Sequence, residues 1–173
     1  MSIERVKEFF KQHGLEDKVM EFDTSSATVE LAAEAANTIP ARIAKTLSFQ
    51  QKNAPDGNNS EGAGFLVVAA GDARIDNAKF KSQFRTKAKM MSPEAVLELT
   101  GYAVGGVCPF AVNEQVPIYL DISLKRFSTV FPACGSSNSA IELDCDTLFK
   151  LANAREWIDV CKDWDTDLTC DAE

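Results

Sequence analysis

Histidine is nearly absent: among 173 residues only His13 carries an imidazole. A Ser-His-Asp or Cys-His site has no general base to call on, and zinc has almost no ligands. The five cysteines, Cys108, Cys134, Cys145, Cys161 and Cys170, contain no C-x-x-C pair. Odd in number and without an evident base, they read as small core residues in a reduced protein. No P-loop and no G-x-G-x-x-G turn is present, so no cofactor or metal is expected. No uncharged apolar run approaches the roughly 18 residues of a membrane helix. The first residues begin a charged amphipathic segment, not the apolar core of a secretion signal, and the expected location is the cytoplasm.

What is present is globular. Hydrophobic residues make up 45% and charged residues 25%, and a chain of this length buries roughly 70% of its unfolded surface without staples. The net charge of −8 argues at first against a polyanionic partner. Its distribution does not. Residues 74–89 hold six basic side chains against one acidic: Arg74, Lys79, Lys81, Arg85, Lys87 and Lys89, with Phe80 and Phe84 interleaved. Screening confines each field to about 8–10 Å, so a local patch can attract phosphates on an acidic protein. The solvated face of a helix is the alternative. Residues 161–173 are acidic and read as a solvated tail after a single domain at 1–160.

Periodicity predicts helices over 3–12, 29–36, 77–84, 92–101 and 144–152, and a last short one over 156–164. Ser92, Pro93, Glu94 and Gly101 supply cap, first position, first-turn acid and stop. His13 reads as a favourable group at a helix C-terminus, with catalysis the other possibility. Strands are predicted over 18–22, 43–49, 65–70, 88–91, 116–120, 128–132 and 140–143, with a hairpin loop over 51–63. The pattern is that of an α+β domain, with a mixed, largely antiparallel sheet covered by helices.

Two features carry chemistry. Alternation in the strand at 43–49 turns Ile43, Leu47 and Phe49 inward, and Lys45 with them. A lysine on a buried face is expensive unless paired, which makes it a functional candidate; an edge-strand lysine reaching solvent is the other reading. The second feature is Gly105–Pro109. Two glycines permit close backbone approach or positive φ, and the amides of Gly106, Val107 and Cys108 are candidates to converge on a carbonyl oxygen. A tight turn between helix and strand is the plainer alternative.

The combination of Ala32 and Ala33, Ile43–Leu47, Leu99–Tyr102, Gly105–Phe110 and Gly135 resembles the YbaK/EbsC family, the prolyl-tRNA-synthetase-associated editing domains. The likeness runs over roughly residues 3–155 in order and spacing. It implies a free-standing aminoacyl-tRNA deacylase that hydrolyses mischarged tRNA, with Ala- or Cys-charged tRNA for proline as the expected substrates. A non-catalytic tRNA- or synthetase-binding module of the same fold is the alternative. The family's central lysine falls on Lys45, and its glycine-proline loop, which cradles the ester, on Gly105, Gly106, Val107, Cys108 and Pro109. Ser25, Thr28, Ile43, Thr46 and Gly135 would shape the pocket. The run Ala133–Asn138 departs from relatives that carry basic residues around the late glycine. The resemblance further implies that a terminal ribose hydroxyl of the tRNA assists the attacking water. Arg74, Lys79, Lys81, Arg85 and Lys87 are then the candidate acceptor-stem contacts. A mischarged tRNA is the expected partner, a synthetase a further candidate, and neither DNA nor a membrane is expected.

Overall fold

A computed structural model describes residues 2–51 and 64–164. The expected loop at 51–63 and the end of the expected tail therefore fall almost wholly outside the described residues. Among those described, no helix is long and apolar enough to cross a membrane.

The chain runs α1 (Ser2–Lys11), β1 (Val19–Glu21), α2 (Val29–Ala35), β2 (Ile43–Gln50), β3 (Gly64–Ala70), β4 (Arg74–Ile75), α3 (Asn77–Phe84), α4 (Pro93–Thr100), β5 (Ile118–Asp121), β6 (Thr129–Pro132), β7 (Ser139–Ile141), β8 (Leu143–Asp144), α5 (Cys145–Leu151), β9 (Trp157–Ile158) and β10 (Cys161–Lys162). Six strands form a mixed sheet in the order β8-β6-β2-β3-β5-β9, and β1-β7 and β10-β4 make two small antiparallel pairs. The β2–β3 ladder is antiparallel over seven residue pairs. The β2–β6, β3–β5 and β5–β9 pairings are short and parallel. The α+β reading, with a mixed sheet and helices around it, stands.

Strand β3 is buried along its whole length, which is why it reads as one apolar run from Phe65 to Ala70. Phe49, Phe65, Phe80, Phe84 and Tyr119 stack into one aromatic cluster, which seats α3 on the sheet through Phe80 and Phe84. Phe10 of α1 meets Phe110 at 4.8 Å between ring centres. The helix ends obey local chemistry. Ser92 Oγ accepts from the amide of Ala95, Thr28 Oγ1 from Leu31 and the Asp144 carboxylate from Thr147. Gly101, at φ 81°, closes α4 in the left-handed region.

Two expected elements are corrected. Residues 88–91 do not form a strand; they meet the sheet through one isolated bridge, Met90 to Phe49. Residues 156–164 are not a helix. Trp157 and Ile158 pair with Leu120 and Asp121, and Cys161 and Lys162 pair with Ile75 and Arg74. Partners far away in sequence override a weak helical pattern there. Trp164, within the segment read as tail, lies under the Arg126 guanidinium at 5.1 Å.

Candidate functional site

A cleft of about 280 Å3 opens between β2, the loop ahead of α2, the Met90–Met91 segment, α4 and the loop before Pro109. Its walls are mostly small or apolar, with Val29, Ala32, Ile43, Val96, Val107, Phe131 and Ala140 among them. Among the described residues, neither histidine nor cysteine nor any carboxylate lines it, and Lys45 is the single charged residue on its surface.

β2 lies between β6 and β3, but its ladder to β6 spans only Ile43 and Ala44, so Lys45 is paired on one side, with β3. It stands opposite Ala69 in the ladder and is half-buried. Its Nζ donates to Ala73 O and, at 3.4 Å, to Gly71 O. Burial pulls its pKa below the ordinary lysine range, while nearby Cys161 and Asp72 act in the opposite sense. The loop that supplies those carbonyls is fixed from behind. Arg126 Nη2 and Nη1 reach the two carboxylate oxygens of Asp72 at 2.5 and 3.0 Å, and Arg126 Nε donates to Ser123 O at 2.9 Å. This is a bidentate fork on a buried arginine.

An ammonium has three N–H donors and no acceptor. Two carbonyls occupy two of them, which leaves one for a group in the cleft. The arrangement suits polarising a carbonyl oxygen in a small, mostly apolar cleft.

The glycine loop reaches the cleft with Gly105 and Val107. Gly105 has φ 99°, a conformation open to glycine at no steric cost. The expectation that the Gly106 amide faces a substrate is corrected: it donates to Ala103 O at 3.0 Å and closes a turn. The amides of Val107 and Cys108 have no partner among the described residues. Gly106 is needed for packing, because a Cβ there would lie 2.8 Å from three backbone atoms of Ser136. Gly106→Ala is expected to cost about 1–3 kcal/mol, read as a lowered urea midpoint. An unchanged midpoint would contradict the contact.

Of the other candidates, Thr28, Ile43 and Thr46 line the cleft, and Ser25, Cys108, Pro109 and Gly135 do not. Ser25 is exposed and its Oγ accepts from the amide of Ala27 at 3.2 Å. Cys108 is fully buried, donates weakly to Phe110 O, and its thiol is pushed up to about 12 by burial. Pro109 borders a separate groove beside α5. Gly135, at φ 89°, shapes the turn that brings Ser136 against Gly106. Ser26, inside the Ser25–Thr28 segment expected at the pocket, lines the cleft, and so do Met90, Met91, Phe131 and Ser139, which the sequence did not mark. Ser26 carried no local signal to separate it from Ser25, and the others come from segments far from β2 in the chain.

The basic residues lie elsewhere. Lys79 is engaged within the protein, 3.0 Å from both the Asp159 carboxylate and Cys161 O. Arg74, Lys81, Arg85 and Lys87 are exposed, and Lys81 and Lys87 border one shallow groove with Asn77, Ala78 and Ala88.

The sequence profile of the aminoacyl-tRNA editing domain matches residues 23–151, which contain β2, the glycine loop and every residue of the cleft. YwhH of Bacillus subtilis (strain 168), described as uncharacterized, is 52% identical over 165 residues, covering 95% of this chain and 100% of its own length. EbsC of Enterococcus faecalis, described as a candidate Cys-tRNA(Pro)/Cys-tRNA(Cys) deacylase, is 27% identical over 149 residues, 84% of this chain and 85% of its own. A crystal structure of a candidate trans-editing enzyme for prolyl-tRNA synthetase superposes with a TM-score of 0.79 at 28% identity, covering 93% of this chain and 97% of that one. The chain belongs to the aminoacyl-tRNA editing domain family.

Proposed function

We propose that the protein is a free-standing deacylase that hydrolyses the ester of mischarged aminoacyl-tRNA, with Ala- or Cys-charged tRNA for proline as substrate. One observation carries this reading. A mostly apolar cleft, with no acidic side chain among the described residues that line it, holds the half-buried ammonium of Lys45, kept in place by two main-chain carbonyls.

An aminoacyl ester is already activated, so its hydrolysis needs a positioned water and a stabilised oxyanion more than a strong nucleophile. The remaining N–H of Lys45 polarises the ester carbonyl oxygen, with the amide of Val107 as a further candidate. Water adds to the carbonyl carbon, and the resulting oxyanion collapses. The bond from that carbon to the ribose oxygen breaks, the amino acid leaves as its carboxylate, and the tRNA keeps its hydroxyl. As the family resemblance implies, a hydroxyl of the terminal ribose orients the water.

The reading is tested by the lifetimes of alanyl-, cysteinyl- and prolyl-tRNA for proline at catalytic protein concentration. The first two are expected to shorten and the matched ester to survive. Equal hydrolysis of all three, or of none, contradicts it.

Lys81 and Lys87 are the basic residues best placed for the phosphate backbone. Reversing both, Lys81→Glu with Lys87→Glu, is expected to weaken tRNA binding and to flatten the plot of log K against log salt by about two units of slope. An unchanged slope removes this face from the interface.

A further inference from the structure

The loop that brings Gly105 and Val107 to the cleft starts at Tyr102 and ends at Phe110, and one helix grips both ends. At the start, Arg5 of α1 donates to Thr100 O at 2.6 Å, and its guanidinium lies over the Tyr102 ring at 4.5 Å. A Cβ on Gly101 would fall 2.6 Å from that guanidinium, so the arginine sits in the space this glycine leaves open. At the other end, Phe110 packs on Phe9 and Phe10 of the same helix, with ring centres 6.2 and 4.8 Å away. The two ends are also joined directly. The Tyr102 hydroxyl donates to Phe110 O at 2.5 Å, and the Tyr102 amide donates to Thr100 Oγ1 at 3.0 Å. Phe10, Tyr102 and Phe110 are fully buried.

A buried phenol needs an acceptor, and any carbonyl would serve. Here the acceptor is the carbonyl eight residues further on, so the bond spans the base of the loop. Inside the loop run one turn bond, from Gly106 N to Ala103 O at 3.0 Å, and a long contact from the Cys108 thiol to Phe110 O at 3.9 Å. Its shape is therefore held from outside, by the phenol across its base and by α1 behind both ends. That helix, Ser2–Lys11, precedes the residues 23–151 that the editing-domain profile matches.

We propose that α1 and Tyr102 form a positioning element that holds the Gly105–Pro109 loop at the cleft, with Arg5 and Tyr102 as positioning residues. Neither residue lines the cleft, so both act through the loop. The effect on catalysis presupposes the deacylase reading above and adds to it a helix outside the matched domain. Placement matters more to the reaction than to the fold. A misplacement of about 1 Å costs about a hundredfold in rate, while a loop shifted by that much still packs.

The test compares the wild type with Tyr102→Phe, Arg5→Met and a control, Phe84→Leu, in the aromatic cluster that seats α3. Tyr102→Phe removes one oxygen and leaves the ring and its Arg5 contact; Arg5→Met removes the charge over that ring. Turnover of cysteinyl- and alanyl-tRNA for proline is measured well below each melting temperature. Alongside it, hydrogen exchange at the Gly106 amide reports the loop without any substrate. Tyr102→Phe is expected to lower kcat by about tenfold to a hundredfold and Arg5→Met by less, while Phe84→Leu keeps the wild-type kcat. Exchange at Gly106 is expected to quicken by about tenfold in Tyr102→Phe, with the Phe80 amide of α3 unchanged. Wild-type kcat in both loop variants overturns the proposal. An equal loss in Phe84→Leu also overturns it, by tracing the effect to general destabilisation. If the wild type hydrolyses neither ester, the deacylase reading falls and the exchange decides alone. Faster exchange at Gly106 in both loop variants then upholds α1 and Tyr102 as the support of the loop, and unchanged exchange overturns it.

Discussion

Lys45→Met is expected to lower kcat for ester hydrolysis by about a hundredfold to a thousandfold, the usual cost of losing one oxyanion donor. KM should change far less, because the apolar walls that receive the aminoacyl group are untouched. Methionine keeps most of the side-chain length and packs in the same channel. Two opposed effects act on stability. Removing a half-buried ammonium relieves its desolvation, and the carbonyls of Gly71 and Ala73 lose their donor. The urea midpoint at neutral pH is therefore expected to move little. The pH dependence is more telling. The folded pKa of Lys45 lies below its unfolded value near 10.5. Between those two values the unfolded chain binds more protons, so this lysine makes stability rise with pH across that window. Lys45→Met removes that contribution. Denaturation of both proteins from pH 7 to 11 checks it: the wild type should gain on the variant as pH rises.

The second large effect is structural and begins one shell further out. Arg126→Met is expected to cost about 3 kcal/mol. The Arg126 side chain is 3% exposed and Asp72 is 24% exposed. The substitution leaves a partly buried carboxylate without its bidentate partner and takes one donor from Ser123 O. It also removes the guanidinium stacked between Phe127 and Trp164. Since Asp72 lies between the two carbonyls that hold Lys45, kcat is expected to fall as well. Activity of the folded variant, assayed well below its melting temperature, separates that effect from unfolding. Full activity in a destabilised variant would mean that the Gly71–Ala73 loop holds its shape without the ion pair.

The parts of this fold that were legible in the sequence are those set by neighbours in the chain. Ser92, Pro93 and Gly101 mark α4 to the residue, and Asp144 marks the start of α5, because caps act over three or four positions. The unbroken apolar run of β3 announced a buried central strand. Alternation turned Lys45 inward, and its Nζ meets the carbonyls of Gly71 and Ala73 where the edge-strand alternative has it reach solvent. What could not be read locally depends on distant partners. The stretch at 156–164 becomes two strands only because β5 and β4 leave ladders open to it. Ser25 and Ser26 are chemically alike in sequence, yet one is exposed and caps a turn while the other is buried on the cleft. Gly106 looked like a ligand-facing glycine, and its missing side chain instead admits the backbone of Ser136. Glycine signals close approach in both cases, and sequence does not say to what.

The proposed deacylase turns over an aminoacyl ester in the Lys45 cleft. The most direct measurement is the lifetime of cysteinyl-tRNA for proline with the protein present at one hundredth of the substrate concentration. All of the ester is expected to be lost through repeated turnovers, with free tRNA and free amino acid as products, and Lys45→Met is expected to slow that loss by about a hundredfold to a thousandfold. A tRNA that binds while its ester, and those of seryl- and alanyl-tRNA, persist at the uncatalysed rate would contradict it and leave a binding module of the same fold.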